Sequence, residues 1–244
     1  QPDSKSASSP WLFCDGRKWH MFYVGTQFCT PAPDCIPSTP YVTLKAEADH
    51  PAGPWRKRYD IVPFVNEAGT YYSDTASPGD VVEQDGEYLM FFGAAAFTEP
   101  GKLGRTVGIA RTRDLNGAWT VDPEPIFPPT EQCENTSLYY EPSNDTWFLF
   151  TNHIGIHPDR GEYTDAIWVY WTRDLNQWNT EDKAIVIDCQ NTEQVKGAIG
   201  MPSVIKVGDR LAMLYDGATG ENHGHMGRGI NLAWLSLPLT PPAE

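Results

Sequence analysis

With 244 residues, 40% of them apolar and 12% aromatic, the chain can bury a real core, so a disordered chain is excluded and one large all-β domain or two small ones fit. Eighteen Lys and Arg against 32 Asp and Glu leave a net charge of −14 with no basic cluster, which excludes a nucleic-acid binder. No run approaches roughly 18 apolar residues, so no membrane span is expected, and 21 Gly with 21 Pro favour many short strands over long helices.

The chain opens on Gln1 rather than Met and shows no charged-then-apolar leader, which reads as a processed product or an excerpt. Four stretches then share one pattern. Ser9–Tyr23, Ser77–Phe92, Glu134–Phe150 and Met201–Tyr215 each run from a short apolar strand through a polar turn into an aromatic strand. The turns are Asp15-Gly16, Asp85-Gly86, Asn144-Asp145 and Gly208-Asp209, a hairpin signal. A third strand is predicted after each hairpin, over 41–46, 107–112, 166–172 and 230–235. Three of these run into a segment ending in tryptophan: His50-Pro-Ala-Gly-Pro-Trp55, Thr112-Arg-Asp-Leu-Asn-Gly-Ala-Trp119 and Thr172-Arg-Asp-Leu-Asn-Gln-Trp178. A plain sandwich would not repeat such a corner in register. The period of roughly 60 residues suits propeller blades with generous loops, and helical periodicity is nearly absent. The expectation is a single all-β propeller domain over 1–244, with blades near 7–60, 73–125, 133–185 and 197–240.

Five cysteines (Cys14, Cys29, Cys35, Cys133, Cys189) include no C-x-x-C pair, so a zinc site has little support. Cys29 and Cys35 flank a Pro-rich loop and are either a small disulfide or two free thiols. Asn135-Thr136-Ser137 and Asn144-Asp145-Thr146 match the glycosylation sequon, which matters only in a eukaryotic secreted protein.

Five segments in order resemble the five-bladed propeller glycosidases, the superfamily of glycoside hydrolase families 43, 62, 32, 117 and 130, most clearly family 43, over essentially the whole chain. Ala7-Ser-Ser-Pro10 is similar to the family's second-blade Trp-Ala-Pro opening, and 73–86 to its third-blade opening, where Asp-Pro-Ser is usual. Cys133-Glu134-Asn-Thr-Ser-Leu138 resembles the Glu-Gly-Pro motif of the fourth blade. Gly197-Ala-Ile-Gly-Met-Pro-Ser203 resembles Gly-x-Gly-His-x-Ser, and Gly227-Arg228 through Trp234 resembles Gly-Arg-x-x-x-Leu. The resemblance implies a five-bladed type with about four blades present, the absent first blade being the one that carries the family's general-base Asp. Asp3, the one carboxylate ahead of the first hairpin, is a weak substitute expected to be disordered at the chain end.

Glycoside hydrolysis needs a carboxylic acid on the leaving oxygen and a carboxylate on the opposite face of the sugar. The resemblance assigns the acid to Glu134, for which the bland reading is an exposed loop glutamate. Ser77 stands where the family's third-blade Asp falls, so Asp74 is expected to take its supporting role, with Asp80 competing and turn capping as the alternative for Asp74. Arg228 either clamps a sugar hydroxyl or the acid, or makes a surface ion pair. His153, His157, His223 and His225 are the imidazoles near predicted loop faces. Some members of the superfamily hold an axial calcium through histidine, a role conceivable for His223 or His225 but set against a solvated loop. Trp11, Trp19, Trp147 and Trp168 either stack on sugars or fill space between blades. The implied function is a glycoside hydrolase, inverting on the family 43 likeness with retention as in the family 32 relatives left open, acting on plant or algal oligosaccharide (arabinofuranoside, xyloside or galactoside-like), without cofactor beyond a possible structural calcium, and secreted or periplasmic. The alternatives are a non-catalytic carbohydrate-binding propeller and, more weakly, a protein-binding scaffold.

Overall fold

The computed structural model describes residues 1–157, 161–220 and 228–242. The chain forms two compact units, Gln1–Pro125 and Ile126–Glu244, each holding two antiparallel sheets of three or more strands. The four sheets are blades of a β-propeller, and the fold is all-β.

In the first unit, blade one contains β1 (Ser6–Cys14), β2 (Trp19–Thr26), β5 (Val42–Ala48) and β6 (Arg56–Lys57), paired in the order β1-β2-β5-β6. The short ribbon β3 (Phe28–Cys29) and β4 (Pro37–Ser38) interrupts it. Blade two contains β7 (Thr75–Ser77), β8 (Val81–Gln84), β9 (Glu87–Glu99), β10 (Lys102–Thr112) and β11 (Thr120–Val121). Both β7 and β8 pair with β9, so they form one interrupted innermost strand. In the second unit, blade three is β12 (Cys133–Glu141), β13 (Thr146–His157), β14 (Gly161–Thr172) and β15 (Lys183–Asp188). Blade four is β16 (Ile199–Val207), β17 (Arg210–Ala218) and β18 (Arg228–Ser236).

Turn chemistry closes each hairpin as its residues dictate. Asp85 and Gly86 take φ of 53° and 74°, the pair of left-handed residues that a two-residue turn needs to match strand twist. Gly16 (83°), Asp145 (53°) and Gly208 (63°) serve the other three. The tryptophan corners also repeat bond for bond. Thr112 Oγ1 accepts from Asp114 N at 3.1 Å while Asp114 Oδ1 accepts from Asn116 N at 2.9 Å. Thr172, Asp174 and Asn176 repeat this with the same two distances. Leu115 and Leu175 are buried beneath their corners.

Alternation along the strands buries aromatic and aliphatic residues on the faces that meet within each unit. In the first unit Phe22 meets Trp119 edge-on, with ring centroids 5.4 Å apart, and Phe92, Met90 and Tyr72 complete the cluster. In the second, Phe148, Phe150 and Ile167 of blade three pack with Ile199, Leu211 and Met213 of blade four. Lys45 is the exception: it is 1% exposed, yet its Nζ donates to Leu115 O at 2.6 Å and pairs with Glu47 at 3.2 Å. All five cysteines are free, so Cys29 and Cys35 are thiols and not a disulfide. Both sequon asparagines are engaged: Asn135 Nδ2 bonds Asn152, and Asn144 Nδ2 bonds Leu239 O.

Candidate active site

One irregularity recurs in all four blades. The innermost strand carries one residue more than its partner between Ser8 and Trp11, between Ser77 and Val81, between Glu134 and Ser137, and between Gly200 and Ser203. Three of these bulges hold a left-handed non-glycine residue: Ser9 at φ 49°, Asn135 at 59° and Met201 at 52°. Bulges re-aim side chains, and they concentrate beside functional sites. Ser8, Ser77, Glu134 and Gly200 are therefore equivalent positions, and Glu134 is the one carboxylate among them.

Glu134 is half-buried at the start of β12, opposite Asn152 on β13. Asn135 Nδ2 lies 3.4 Å from Glu134 Oε2 and donates at 3.1 Å to Asn152 Oδ1. Thr151 Oγ1 donates to the Glu134 carbonyl at 2.8 Å. Asn152 is fully buried, and its Oδ1 also accepts from Met201 N at 3.0 Å, tying the acid's strand to the bulge of blade four. Across that blade, Gly200 faces Asp216. Arg228, its side chain 8% exposed, donates through Nη1 to both Asp216 oxygens at 3.2 and 3.3 Å. A relay through Asn152, the blade-four bulge and Asp216 thus leads from the strand of Glu134 to Arg228 in the second unit. Asn152 and Asp216, which sequence reading missed, occupy equivalent places opposite the residue that precedes each bulge. Aligning the four hairpins on their turns, and not on their motifs, is the signal that finds them.

His153 pairs across the sheet with Cys133, the residue before Glu134. Its ring stacks on Trp168 at 4.7 Å and 8°, and Nε2 meets the Tyr170 hydroxyl at 2.9 Å. That hydroxyl donates to Glu131 Oε2, which also receives Lys183 Nζ, both at 2.6 Å. Burial raises Glu131, but the bonds from Lys183 and Tyr170 outweigh it and hold the carboxyl below its usual range. Burial pushes the Cys133 thiol up to about 12, so it is an inert core group. His223 and His225 lie outside the described residues, as does Gly227.

In the first unit, Asp74 precedes β7. Its Oδ2 accepts from Ser73 Oγ at 2.7 Å and from Phe97 N at 3.2 Å. It lies three residues before Ser77, among the residues lining a cavity of about 750 Å³. Asp80 is in the bulge, where its carbonyl accepts from Phe91 N, several residues along β9 from the Ala95 that pairs with Asp74's neighbour Thr75. Asp80 and Asp74 therefore sit at separate points of the strand. Trp11 pairs across the sheet with Phe22, and no tryptophan lines the cavity.

The expectation of a disordered Asp3 needs correction. Its side chain is 3% exposed and accepts from Tyr23 OH at 3.0 Å, from Tyr59 OH at 2.9 Å and from Lys57 Nζ. Burial raises its pKa, but these three donors outweigh it and leave the carboxyl below its usual value. Donors from blade one, 20 to 56 residues away, hold the chain end in place.

Among the described residues no group of three or more His, Cys, Asp or Glu could hold a metal ion. No helix among them is long and apolar enough to cross a membrane.

The sequence matches no family model and no curated protein. The fold matches solved propeller enzymes throughout. The chain resembles an endo-1,4-β-xylanase from Bacteroides thetaiotaomicron at TM-score 0.63 and 19% identity, over 98% of this chain and 71% of that one. An endo-arabinase from the same organism gives 0.64 and 16%, over 93% and 74%. A thermostable family-43 glycoside hydrolase gives 0.68 and 14%, over 96% and 70%. What these likenesses share with the chain is the propeller fold.

Proposed function

We propose that the chain is a glycoside hydrolase in which Glu134 is the general acid. The observation that carries the reading is Glu134 itself: a half-buried carboxyl just ahead of a bulge, braced by Asn135 and Asn152, on the fold of family-43 enzymes. Glu134 protonates the leaving oxygen as the glycosidic bond breaks, and a carboxylate on the far face activates water, giving inversion. Arg228, oriented by Asp216, receives a sugar hydroxyl. The substrate class is an arabinofuranoside, xyloside or galactoside-like unit of a plant or algal polysaccharide, a choice supported by the named activities of the xylanase and arabinase neighbours. Such polymers place the enzyme outside the cytoplasm.

The test is hydrolysis of a panel of aryl furanosides and pyranosides by the wild type and Glu134→Gln. The expected result is a loss of about 10²-fold or more on the best substrate, reduced when the leaving group is activated. Turnover unaffected by the substitution overturns the assignment.

A second reading, a carbohydrate-binding propeller without catalysis, is favoured by one observation: the positions equivalent to Glu134 are Ser8, Ser77 and Gly200, none of them acidic. Sugar binding by calorimetry with no turnover of any panel member selects it.

A further inference from the structure

Blade four differs from the other three at its outer edge. Blades one, two and three finish on β6, β11 and β15, of two, two and six residues, and β6 and β15 carry charges. Short or charged edge strands protect a sheet from pairing with another chain. Blade four finishes on β18, nine residues long, which from Gly229 to Ser236 holds no charged side chain and no proline. Among the described residues no strand pairs with its outer side.

The hydrogen bonds fix which groups that edge offers. Ala218 of β17 donates to Ala198 O and accepts from Lys196 N and Gly197 N, away from its β18 neighbour Arg228. The two-residue turn Gly208-Asp209 gives the same phase, because its closing pair, Val207 and Arg210, turns even-numbered residues of β17 towards β16. Bonding alternates along an antiparallel ladder, so β17 bonds β18 through Gly229, Asn231, Ala233 and Leu235. Ile230, Leu232 and Trp234 therefore direct N–H and C=O outward, and their side chains are exposed on one face.

Such an edge is complementary to a second copy of itself. Leu232 is the midpoint of β18, so a two-fold axis there uses the whole strand. Antiparallel pairing sets Leu232 opposite its own copy and Ile230 opposite Trp234 of the second copy. Each of these pairs exchanges N–H···O=C bonds in both directions, and the aromatic–β-branched contact adds to them. A net charge of −14 opposes contact between copies, and the strand from Gly229 to Ser236 adds nothing to that repulsion. We propose that the chain forms a two-fold dimer by pairing β18 with β18 of a second copy, joining the two blade-four sheets into one. The dimer does not depend on the glycosidase reading.

Sedimentation equilibrium on the full chain tests it. The wild type is expected to be dimeric at about 100 µM and to dissociate on dilution. Leu232→Lys and Leu232→Glu each set two like charges face to face, and each should raise the dissociation constant about 10-fold or more. Leu232 is exposed on an edge strand, so both variants should keep the circular dichroism of the wild type. Leu232→Lys also reduces the net charge, so overall repulsion cannot account for its loss of association. An equimolar mixture of the two variants should recover the dimer, because the two-fold places position 232 against itself. A wild type that stays monomeric at that concentration, a dimer that survives Leu232→Lys, or a mixture that fails to associate overturns the proposal.

Discussion

His20 shows how one residue couples this fold to pH. It is 2% exposed, with Nε2 3.2 Å from Asp15 Oδ2 and Nδ1 without a hydrogen bond. Burial lowers its pKa most, and Lys45 adds to that against the raising effects of Asp15 and Glu47, so the ring is held below its ordinary value and the contact to Asp15 joins a neutral ring to a carboxylate. In the unfolded chain it takes up a proton near pH ~6.5. Its contribution to stability is therefore present above that pH and lost as pH falls towards the folded value. Urea midpoints should drop between pH 7.5 and 5.5, and His20→Gln should drop less; equal slopes would dismiss the histidine as the cause. Asn152 makes a second residue-scale case. Asn152→Ala removes the buried Oδ1 that accepts from both Met201 N and Asn135 Nδ2, and a loss of about 1–3 kcal/mol in urea unfolding is expected, together with weaker hydrolysis if the acid's strand shifts.

At the scale of the element, the hairpins and corners answer to local chemistry alone. Gly86 at φ 74° has open space around its missing Cβ, so Gly86→Ala pays only backbone strain, expected near ~1 kcal/mol by thermal unfolding. The two corners offer an internal control. Thr112→Val and Thr172→Val remove the same hydroxyl bonds, each worth about 0.5–1.5 kcal/mol, and the better-buried Thr112 should cost more. These features were legible in the sequence because every participant lies within six residues of its partner. The bulges were not. A bulge is a mismatch between two strands, and which residue precedes it depends on the register with a partner strand further along the chain.

Whole-molecule properties follow from charge and from exposed apolar surface. A net charge of −14 makes the folded chain self-repelling, so raising salt from 0.05 to 0.5 M should raise the melting temperature. On β18, Ile230, Leu232 and Trp234 are exposed at 84%, 48% and 42%, a row on one face of the strand. Ile230→Lys should leave stability within about 0.5 kcal/mol while reducing hydrophobic dye binding.

The sequence by itself determined that this is an all-β chain of repeated blades, because turn residues, period-two alternation and the Asp-Leu-Asn corner act over short range. It also singled out Glu134, though through likeness to a family and not through chemistry visible in one chain. Tertiary structure alone decided which carboxylates are sequestered and which face open space. Asp3 is locked by Tyr23, Tyr59 and Lys57, Asp74 is bound by Ser73 and Phe97 N beside an apolar cavity, and Asp216 anchors Arg228. Each outcome depends on donors brought from other strands, and their positions exist only once the registers are set.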